Sequence, residues 1–168
     1  MLRELESDFE VLTLNTALFL NCLDDLDHNS ALRRFSNASN NVAFIATHLV
    51  ESRHYFGKYV GLNMQNPVEE FMSDAKSIEE VGHLPTIPEL RAGWNEVSPP
   101  LLDRFHELTS DDLDTESPHA FPLENATIYA GIGFLLSHES YHIGQLGLLR
   151  KQLGYDAMSY APRAQSVS

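Results

Sequence analysis

Four stretches of this sequence repeat their apolar residues at the three- and four-residue spacing of a helix, and none shows sustained strand alternation. They run from about residue 2 to 27, from 42 to 61, from 86 to 108 and from 126 to 153. In the first stretch the apolar seam consists of Leu5, Phe9, Leu12, Thr16, Phe19, Leu23 and Leu26. Because such seams must be buried against other helices, the pattern predicts an all-α chain that folds as a four-helix bundle.

The connections between the predicted helices differ in length, and this bears on the topology. Residues 62–85 form a long connection, while residues 28–38 and 110–125 form shorter ones. A short loop joins antiparallel neighbours, but a long one can run back along a bundle. We therefore expect helices two and three to run parallel in an up-down-down-up bundle, with a short helix around Val68–Val81 in the crossover.

Two adjacent prolines, Pro99 and Pro100, fall in the middle of the third stretch. That stretch opens with a capping box from Thr86 to Glu89 and carries its apolar residues on one face. Because proline removes a backbone donor and clashes with the preceding turn, we expect a kink or a brief break in this helix.

The chain has 168 residues, a formal net charge of −13 and one cysteine, Cys22. This length suits a single domain spanning residues 1–168. An acidic surface repels phosphate backbones, so nucleic-acid binding is not expected. The charged N-terminus is unlike a signal peptide and no apolar run reaches the length of a membrane span, so we expect a cytoplasmic protein without membrane contact. Cys22 lies in an apolar helix and is expected to be an inert buried thiol.

Two histidines of the fourth stretch, His138 and His142, lie four residues apart and so share one helix face. They are about 40° apart on a helical wheel and lie beside an apolar stripe, which predicts that both point into the bundle core. His48 shares the apolar stripe of the second stretch. Three inward imidazoles on two helices predict a divalent metal site with open positions for water or substrate. The alternative is a set of core histidines that bond to carbonyl groups or water.

Two other metal motifs fit parts of the same segments. The stretch from His138 to His142 reads as the H-E-x-x-H of zinc peptidases, but no His or Glu follows it to supply a third ligand. Glu51 with His54, and Glu139 with His142, form two Glu-x-x-His pairs, as in di-iron carboxylate bundles. The di-iron interpretation is the less favoured alternative, because His54 is expected to face solvent and Glu51 to lie on the edge of the stripe.

The pattern of His48 followed by H-x-x-x-H-I-G-Q-x-x-x-L-R-x-x-x-G, from His138 to Gly154, resembles the DinB/YfiT superfamily of four-helix-bundle metalloenzymes. The resemblance covers nearly the whole chain. It implies a metal site at His48, His138 and His142 that holds one divalent ion per chain, nickel or zinc. It also implies an up-down-down-up bundle and frequent homodimers. Some relatives use low-molecular-weight thiols as cosubstrates, and many have no known activity.

Two further residues of the fourth stretch have predicted roles beside the metal. Gln145 is expected to orient a ligand or a bound water, with a plain core hydrogen bond as the alternative. Glu139 is expected to accept a proton from metal-bound water or thiol, with a packing or partner role as the alternative. The other histidines are expected to be solvated: His28, His54, His83, His106 and His119. Four glycines predict close helix contact or room for a ligand: Gly131, Gly133, Gly144 and Gly147.

Two functions remain open from the sequence. One is a metal-dependent enzyme that activates a thiol or water for transfer to, or hydrolysis of, a small substrate. The other is a non-catalytic metal-binding or interaction protein, which a site filled by Trp94 or Phe56 would favour. A homodimer is also expected, because apolar side chains flank the histidine-bearing stripes: Phe44, Tyr55, Phe134, Tyr141 and Leu148.

Overall fold

Each of the four periodic stretches is a long helix in the computed structural model, which describes residues 1–72 and 77–160. The long helices are α1 (Glu6–Cys22), α3 (Val42–Tyr59), α5 (Ile87–Glu107) and α7 (Ile128–Gln152). Three short helices lie between them: α2 (His28–Leu32), α4 (Glu69–Met72) and α6 (Ser110–Asp114). Single 3-10 turns occur at Arg3–Leu5 and Ile78–Glu80. The described residues contain no strand, only an isolated bridge between Glu116 and Thr127, so the all-α prediction is confirmed.

Side-chain caps fix where the long helices begin. The Asn41 side chain accepts a hydrogen bond of 2.8 Å from the Phe44 backbone amide at the start of α3. Thr86 and Glu89 form the predicted capping box at the start of α5, with both reciprocal bonds present. Just beyond the end of α3 lies Gly61, whose φ of 96° is a conformation that glycine adopts without strain.

Pro99 and Pro100 do not break α5, which continues without interruption from Ile87 to Glu107. The expectation of a break is therefore wrong. The two carbonyl groups that lose a helical donor belong to Asn95 and Glu96, and both of these residues are exposed. Water can satisfy those carbonyl groups, so the lost bonds leave no buried acceptor unpaired.

α3 and α5 run in the same direction, since the contacts between them advance together along both helices. Val50 lies against Gly93, and further along the Val60 carbonyl oxygen accepts a 2.8 Å bond from Arg104 Nε. Hydrogen bonds from Tyr129 to Glu4 and from Asn15 to Leu136 show that α1 and α7 also run parallel to each other. α7 runs antiparallel to α3, because Tyr59 contacts Ile128 while His48 contacts His138. The two histidine-bearing helices, α3 and α7, are therefore antiparallel neighbours.

The connection between α3 and α5 contains α4 and the second 3-10 turn. Within the described residues, the short helix predicted around Val68–Val81 corresponds to α4 at Glu69–Met72 and the turn at Ile78–Glu80. Part of that prediction falls on residues 73–76, which lie outside the described residues.

A layer of polar side chains crosses the centre of the bundle between two apolar clusters, one around Phe19 and Trp94 and the other around Phe56 and Phe105. Every long helix contributes to this polar layer: Asn15 and Thr16 from α1, Arg53 from α3, Ser98 from α5 and Glu139 from α7.

Among the described residues, no helix is long and apolar enough to cross a membrane.

Arg53 and Glu139 form the centre of the polar layer. Their side chains are 0% and 1% exposed, and the guanidinium donates two parallel bonds to the carboxylate, Nε to Oε1 at 2.6 Å and Nη2 to Oε2 at 2.7 Å. Arg53 Nη1 also donates to Thr16 Oγ1 at 2.9 Å, and its Cζ lies 3.9 Å from the centroid of the Trp94 ring. This bidentate pair links α3 to α7 below the groove that carries the histidines.

Candidate metal centre

The three histidines singled out in the sequence meet in the groove between α3 and α7. His48 Nε2 and His142 Nε2 each lie 3.1 Å from His138 Nε2. One nitrogen of each ring lies within 4.8 Å of the other two, and in residues 1–72 and 77–160 no other group of His, Cys, Asp or Glu side chains converges in this way. The helical spacing of His138 and His142 and the antiparallel packing of α3 place all three on one point.

The second nitrogen of each ring lies near an oxygen atom. The distances are 2.7 Å from His142 Nδ1 to Gln145 Oε1, 3.3 Å from His138 Nδ1 to Ser52 Oγ, and 3.6 Å from His48 Nδ1 to Glu51 Oε2. An acceptor beside Nδ1 favours the tautomer that carries its proton there. The Nε2 atoms are then left as lone pairs that face one another.

This arrangement fits a divalent metal ion. Three nitrogen ligands at about 2.0–2.1 Å from a tetrahedral ion lie about 3.4 Å apart. The Nε2 atoms of His48 and His142 are each already 3.1 Å from that of His138, so only a small adjustment is needed. Nitrogen lone pairs that face one another need a proton or a cation between them, since both are acceptors. Three imidazole ligands also leave coordination positions open, which is typical of catalytic sites.

The protein environment keeps the imidazoles of His138 and His142 in the neutral form that binds metals. Burial, followed by the charges of His142 and His48, lowers the pKa of His138 to about 4. Burial is also the main cause that lowers the pKa of His142, and the bond from Gln145 opposes it. Both rings are therefore uncharged at neutral pH.

The histidines lie at the edge of the bundle, so the expectation that they point into its core is wrong. All three are half-buried, and 32% of the His48 side chain is exposed. The physical reason is that Arg53 and Glu139 fill the centre at this level. A helical wheel built on apolar residues leaves Glu139 out, and including it moves the buried face of α7 away from the histidines.

Both oxygens of the Glu139 carboxylate accept hydrogen bonds from Arg53 in the polar layer. Asn15 Nδ2 also lies 3.5 Å from Oε2. Burial raises the pKa of Glu139, and the neighbouring Arg53 charge opposes that rise. Both oxygens already accept strong bonds, so they are poorly placed to take a proton from a ligand of the metal. The geometry supports the packing role that the sequence left as the alternative.

Gln145 lies beside the histidines, as its position in the sequence suggested. Its Oε1 contacts His142 Nδ1, and its Nε2 donates to the Tyr141 hydroxyl at 3.0 Å. Tyr141 packs edge-on against the His142 ring, with the centroids 5.0 Å apart. These contacts fix the orientation of one predicted ligand; the role of Gln145 toward a bound ion stays a prediction.

His54 does not occupy the position expected of it, whereas Glu51 lies at the edge of the stripe as expected. His54 is 5% exposed rather than solvated, and its Nδ1 lies 2.9 Å from the Val50 carbonyl oxygen, one helical turn earlier. Glu51 is half-buried and lies beside His48. In the described part of the chain neither residue joins the histidine cluster, so a di-iron ligand set is not assembled. His83, His106 and His119 are exposed as expected, while His28 is half-buried.

Cys22 is buried, and this burial raises the pKa of its thiol to about 12. The expectation of an inert thiol is therefore supported, since almost no thiolate forms at neutral pH. Of the four glycines, Gly131 shows the expected close contact: an added Cβ would lie 2.0 Å from the Tyr59 hydroxyl. Gly133 and Gly144 have nothing within 4 Å of such an atom.

A small apolar pocket opens beside two of the histidines, and the sequence did not predict it. The pocket has a volume of about 310 Å³ and its walls include Tyr55, Phe121, Phe134 and Leu135. Phe121 comes from the irregular segment between α6 and α7, where no periodic pattern marks a residue as inward-facing. Tyr55 and Phe134 were assigned to flanks of the histidine stripes, and they line this pocket instead of lying on a bare outer surface.

The chain is similar to known proteins in sequence and in fold. The family description that matches it is that of the DinB superfamily, over residues 12–146. A DinB-like protein from Bacillus cereus ATCC 10987 superposes with a TM-score of 0.71 at 18% sequence identity, covering 92% of this chain and 95% of that one. A DinB-like protein from Bacillus subtilis gives 0.65 at 16% identity, covering 94% and 100%. No curated protein matches the sequence.

The two solved structures establish the fold alone, because their sequence identity to this chain is low. The family match shows membership, because it extends over most of the chain. It includes the segments that carry His48, His138 and His142. Since the matched segment contains the whole histidine cluster and the fold agrees throughout, this chain belongs to the DinB superfamily.

Proposed function

We propose that this protein is a metal-dependent enzyme in which His48, His138 and His142 hold one divalent ion, nickel or zinc. The observation that carries the proposal is the arrangement of the three rings: each directs Nε2 at the others and has an oxygen beside Nδ1. Neutral histidines with acceptors behind them are typical of metal ligands. An accidental cluster of surface histidines has no reason to share this orientation.

A divalent ion bound there supplies Lewis acidity, which lowers the pKa of a water or thiol beside it. The chain contributes the rest. Gln145 and Ser52 hold the rings of His142 and His138 in one tautomer, and Glu51 lies 3.6 Å from His48 Nδ1. The adjoining pocket admits a small substrate. Glu51 replaces Glu139 as the carboxylate available for proton transfer, because it lines the pocket and is half-buried. We propose that the reaction is either transfer of a low-molecular-weight thiol to a small electrophile or hydrolysis of a small substrate by water.

The alternative of a non-catalytic protein is less well supported. It would be favoured by a site filled with Trp94 or Phe56, but both of these rings are fully buried in the apolar clusters. The pocket beside the histidines is instead open. An open pocket with convergent polar groups is what small-molecule chemistry requires.

Metal analysis of the purified and loaded protein tests the site. We expect about one nickel or zinc ion per chain, and none after His142→Ala, because two histidines seldom retain a labile ion. His83→Ala is the matched control, since His83 is exposed and outside the cluster. No ion in the wild type at neutral pH, after loading, would overturn the proposal, and two ions per chain would favour the di-iron alternative.

Activity is tested separately by screening the loaded protein against low-molecular-weight thiols and small electrophiles. Turnover should depend on the metal and should be lost in His142→Ala. Stoichiometric metal binding with no turnover across the panel, with thiols and with water, would favour the non-catalytic alternative.

We also propose a homodimer and a cytoplasmic location. Tyr141 and Leu148 of α7 are 63% and 60% exposed and are available for a dimer contact. Phe44 is buried and cannot contribute. Light scattering at micromolar concentration tests the assembly, and a monomer would refute it.

A further inference from the structure

The pocket beside His48 and His138 has walls that are mainly aromatic. Tyr55 lies on the α3 side, Phe134 on the α7 side, and Phe121 enters from the segment that precedes α7. Its volume of about 310 Å³ lies at the lower end of the range of small-molecule sites, about 300–1,000 Å³. The space suits one small molecule rather than a peptide or a long chain.

The Phe121, Phe134 and His138 rings stack one after another, from the pocket wall toward the histidine cluster. Phe121 stacks on Phe134 with the centroids 4.7 Å apart and an interplanar angle of 29°. Phe134 in turn lies nearly parallel to the His138 ring, at 6.3 Å and 15°. A flat group that enters this pocket meets ring faces and edges, which favour stacked or edge-to-face contact.

The segment that carries Phe121 is held in place before any ligand binds. The Tyr59 hydroxyl donates to Ser117 Oγ at 3.0 Å, and the Ser117 backbone amide donates to the Ala126 carbonyl oxygen at 2.6 Å. Phe121 also packs edge-on against Tyr59, at 5.5 Å. The aromatic wall is therefore preorganised, which reduces the entropy lost on binding.

The charges at the pocket favour some ligands over others. Among the described residues that line it, Glu51 is the only one besides the histidines that can carry a charge, and no Lys or Arg is present. The chain as a whole has a formal net charge of −13. Away from the ion proposed for the histidines, an anionic ligand group would find no cationic side chain in these walls and would be repelled by Glu51.

We infer that this pocket binds the flat aromatic part of a neutral or cationic small molecule, and so selects the substrate of the adjoining metal centre. The role of the pocket in selecting a substrate rests on the proposed function. Ligand binding in the pocket can be tested without turnover. We expect a preference for ligands with an aromatic group in the pocket and against those that carry a carboxylate on that group.

The test compares imidazole with 1-benzylimidazole on the protein loaded with cobalt(II), whose visible spectrum reports ligand binding. We expect the benzyl group to raise affinity at least about tenfold, since burying an aromatic ring is strongly favourable. Phe121→Ala should reduce that gain to about twofold or less, and Phe121→Leu should retain part of it. Leu123→Ala is the matched control, because Leu123 lies on the same segment, is exposed and does not line the pocket. A carboxylate on the benzyl ring should remove the gain.

The outcomes separate this inference from the proposed function. If cobalt(II) binds but the benzyl group adds no affinity, or Leu123→Ala loses the gain as Phe121→Ala does, the inference is wrong while the metal site stands. Equal binding of the carboxylated probe would overturn its charge preference. If no metal binds, the proposed function fails. Saturation-transfer NMR of 1-benzylimidazole on the metal-free protein then tests the pocket alone. Ring signals that Phe121→Ala removes would support the pocket, and a wild type without ring signals would overturn it.

Discussion

Replacing Arg53 with methionine should strongly destabilise the fold, because it leaves the Glu139 carboxylate buried without its cation. Both side chains are almost entirely buried and share two short hydrogen bonds. Removing one partner of such a pair costs about 3–5 kcal/mol. For a chain of this size, where 1 kcal/mol shifts the unfolding midpoint by about 2–4 °C, the midpoint should fall by about 6–20 °C.

The double variant Arg53→Met with Glu139→Leu should recover most of this loss. Thr16, Ser98 and Asn15 would lose a bond to the pair, yet each keeps another. Thr16 Oγ1 donates to the Leu12 carbonyl oxygen at 2.8 Å, Ser98 Oγ donates to that of Trp94 at 2.6 Å, and Asn15 Nδ2 contacts that of Leu136 at 3.4 Å. With no unpaired charge left, we expect a stability within about 1 kcal/mol of the wild type.

Urea unfolding followed by far-ultraviolet circular dichroism measures all three variants: each single change and the double change. The reasoning predicts a large favourable coupling energy between the two positions. It would be refuted if Arg53→Met cost less than about 1 kcal/mol, the range of exposed pairs, or if the double variant were as unstable as the sum of the single ones.

Three further predictions concern Cys22, Gly131 and Asp27. Because burial raises the Cys22 pKa to about 12, its neutral form dominates, so a maleimide should label it at neutral pH only after unfolding; rapid labelling of the folded protein would contradict this. Gly131→Ala forces a Cβ against the Tyr59 hydroxyl and should cost about 1–3 kcal/mol in urea unfolding, while its matched control Gly144→Ala, in open space, should stabilise by up to about 1 kcal/mol. Equal effects would argue against the close contact. Hydrogen bonds at the start of α2 lower the pKa of Asp27 from 3.8 to about 2. Its stabilising effect should therefore be present above that range and disappear as pH falls through it. A stability difference between wild type and Asp27→Asn that does not shrink there would contradict this.

Glu51→Ala should weaken metal binding by about 10- to 100-fold, because the His48 ring then loses the carboxylate beside Nδ1. Glu10→Ala, on the exposed side of α1, is the control. Titration with a competing chelator measures the affinities, and equal values for the two variants would show that Glu51 does not act on the site.

The helices and the histidine cluster could be predicted because their signals are local. Helical periodicity follows from one segment at a time, and the spacing of His138 and His142 already places them on one face. His48 could be added because it lies in the apolar stripe of its own helix. The error lay in the orientation of the whole cluster, which depends on what fills the centre of the bundle.

The polar layer could not be predicted in the same way. Arg53 and Glu139 are far apart in sequence, and each one alone looks like an ordinary surface charge; only their packing shows that they neutralise each other. Phe121 poses a similar problem, since it lies in a segment without periodicity and its contacts with Phe134 and Tyr59 are set by tertiary structure. His54 is buried by the neighbouring elements, which its own helix face does not reveal.

The position of Trp94 gives this protein an intrinsic optical reporter. It is the only tryptophan in the chain, and its ring lies between Phe19 of α1, at 4.0 Å, and the Arg53 guanidinium of α3. Its indole nitrogen donates to the Thr16 carbonyl oxygen at 3.1 Å. The fluorescence spectrum of the unlabelled protein therefore arises from one site where three long helices meet, and its wavelength and quenching should change as soon as any of the three separates from the others.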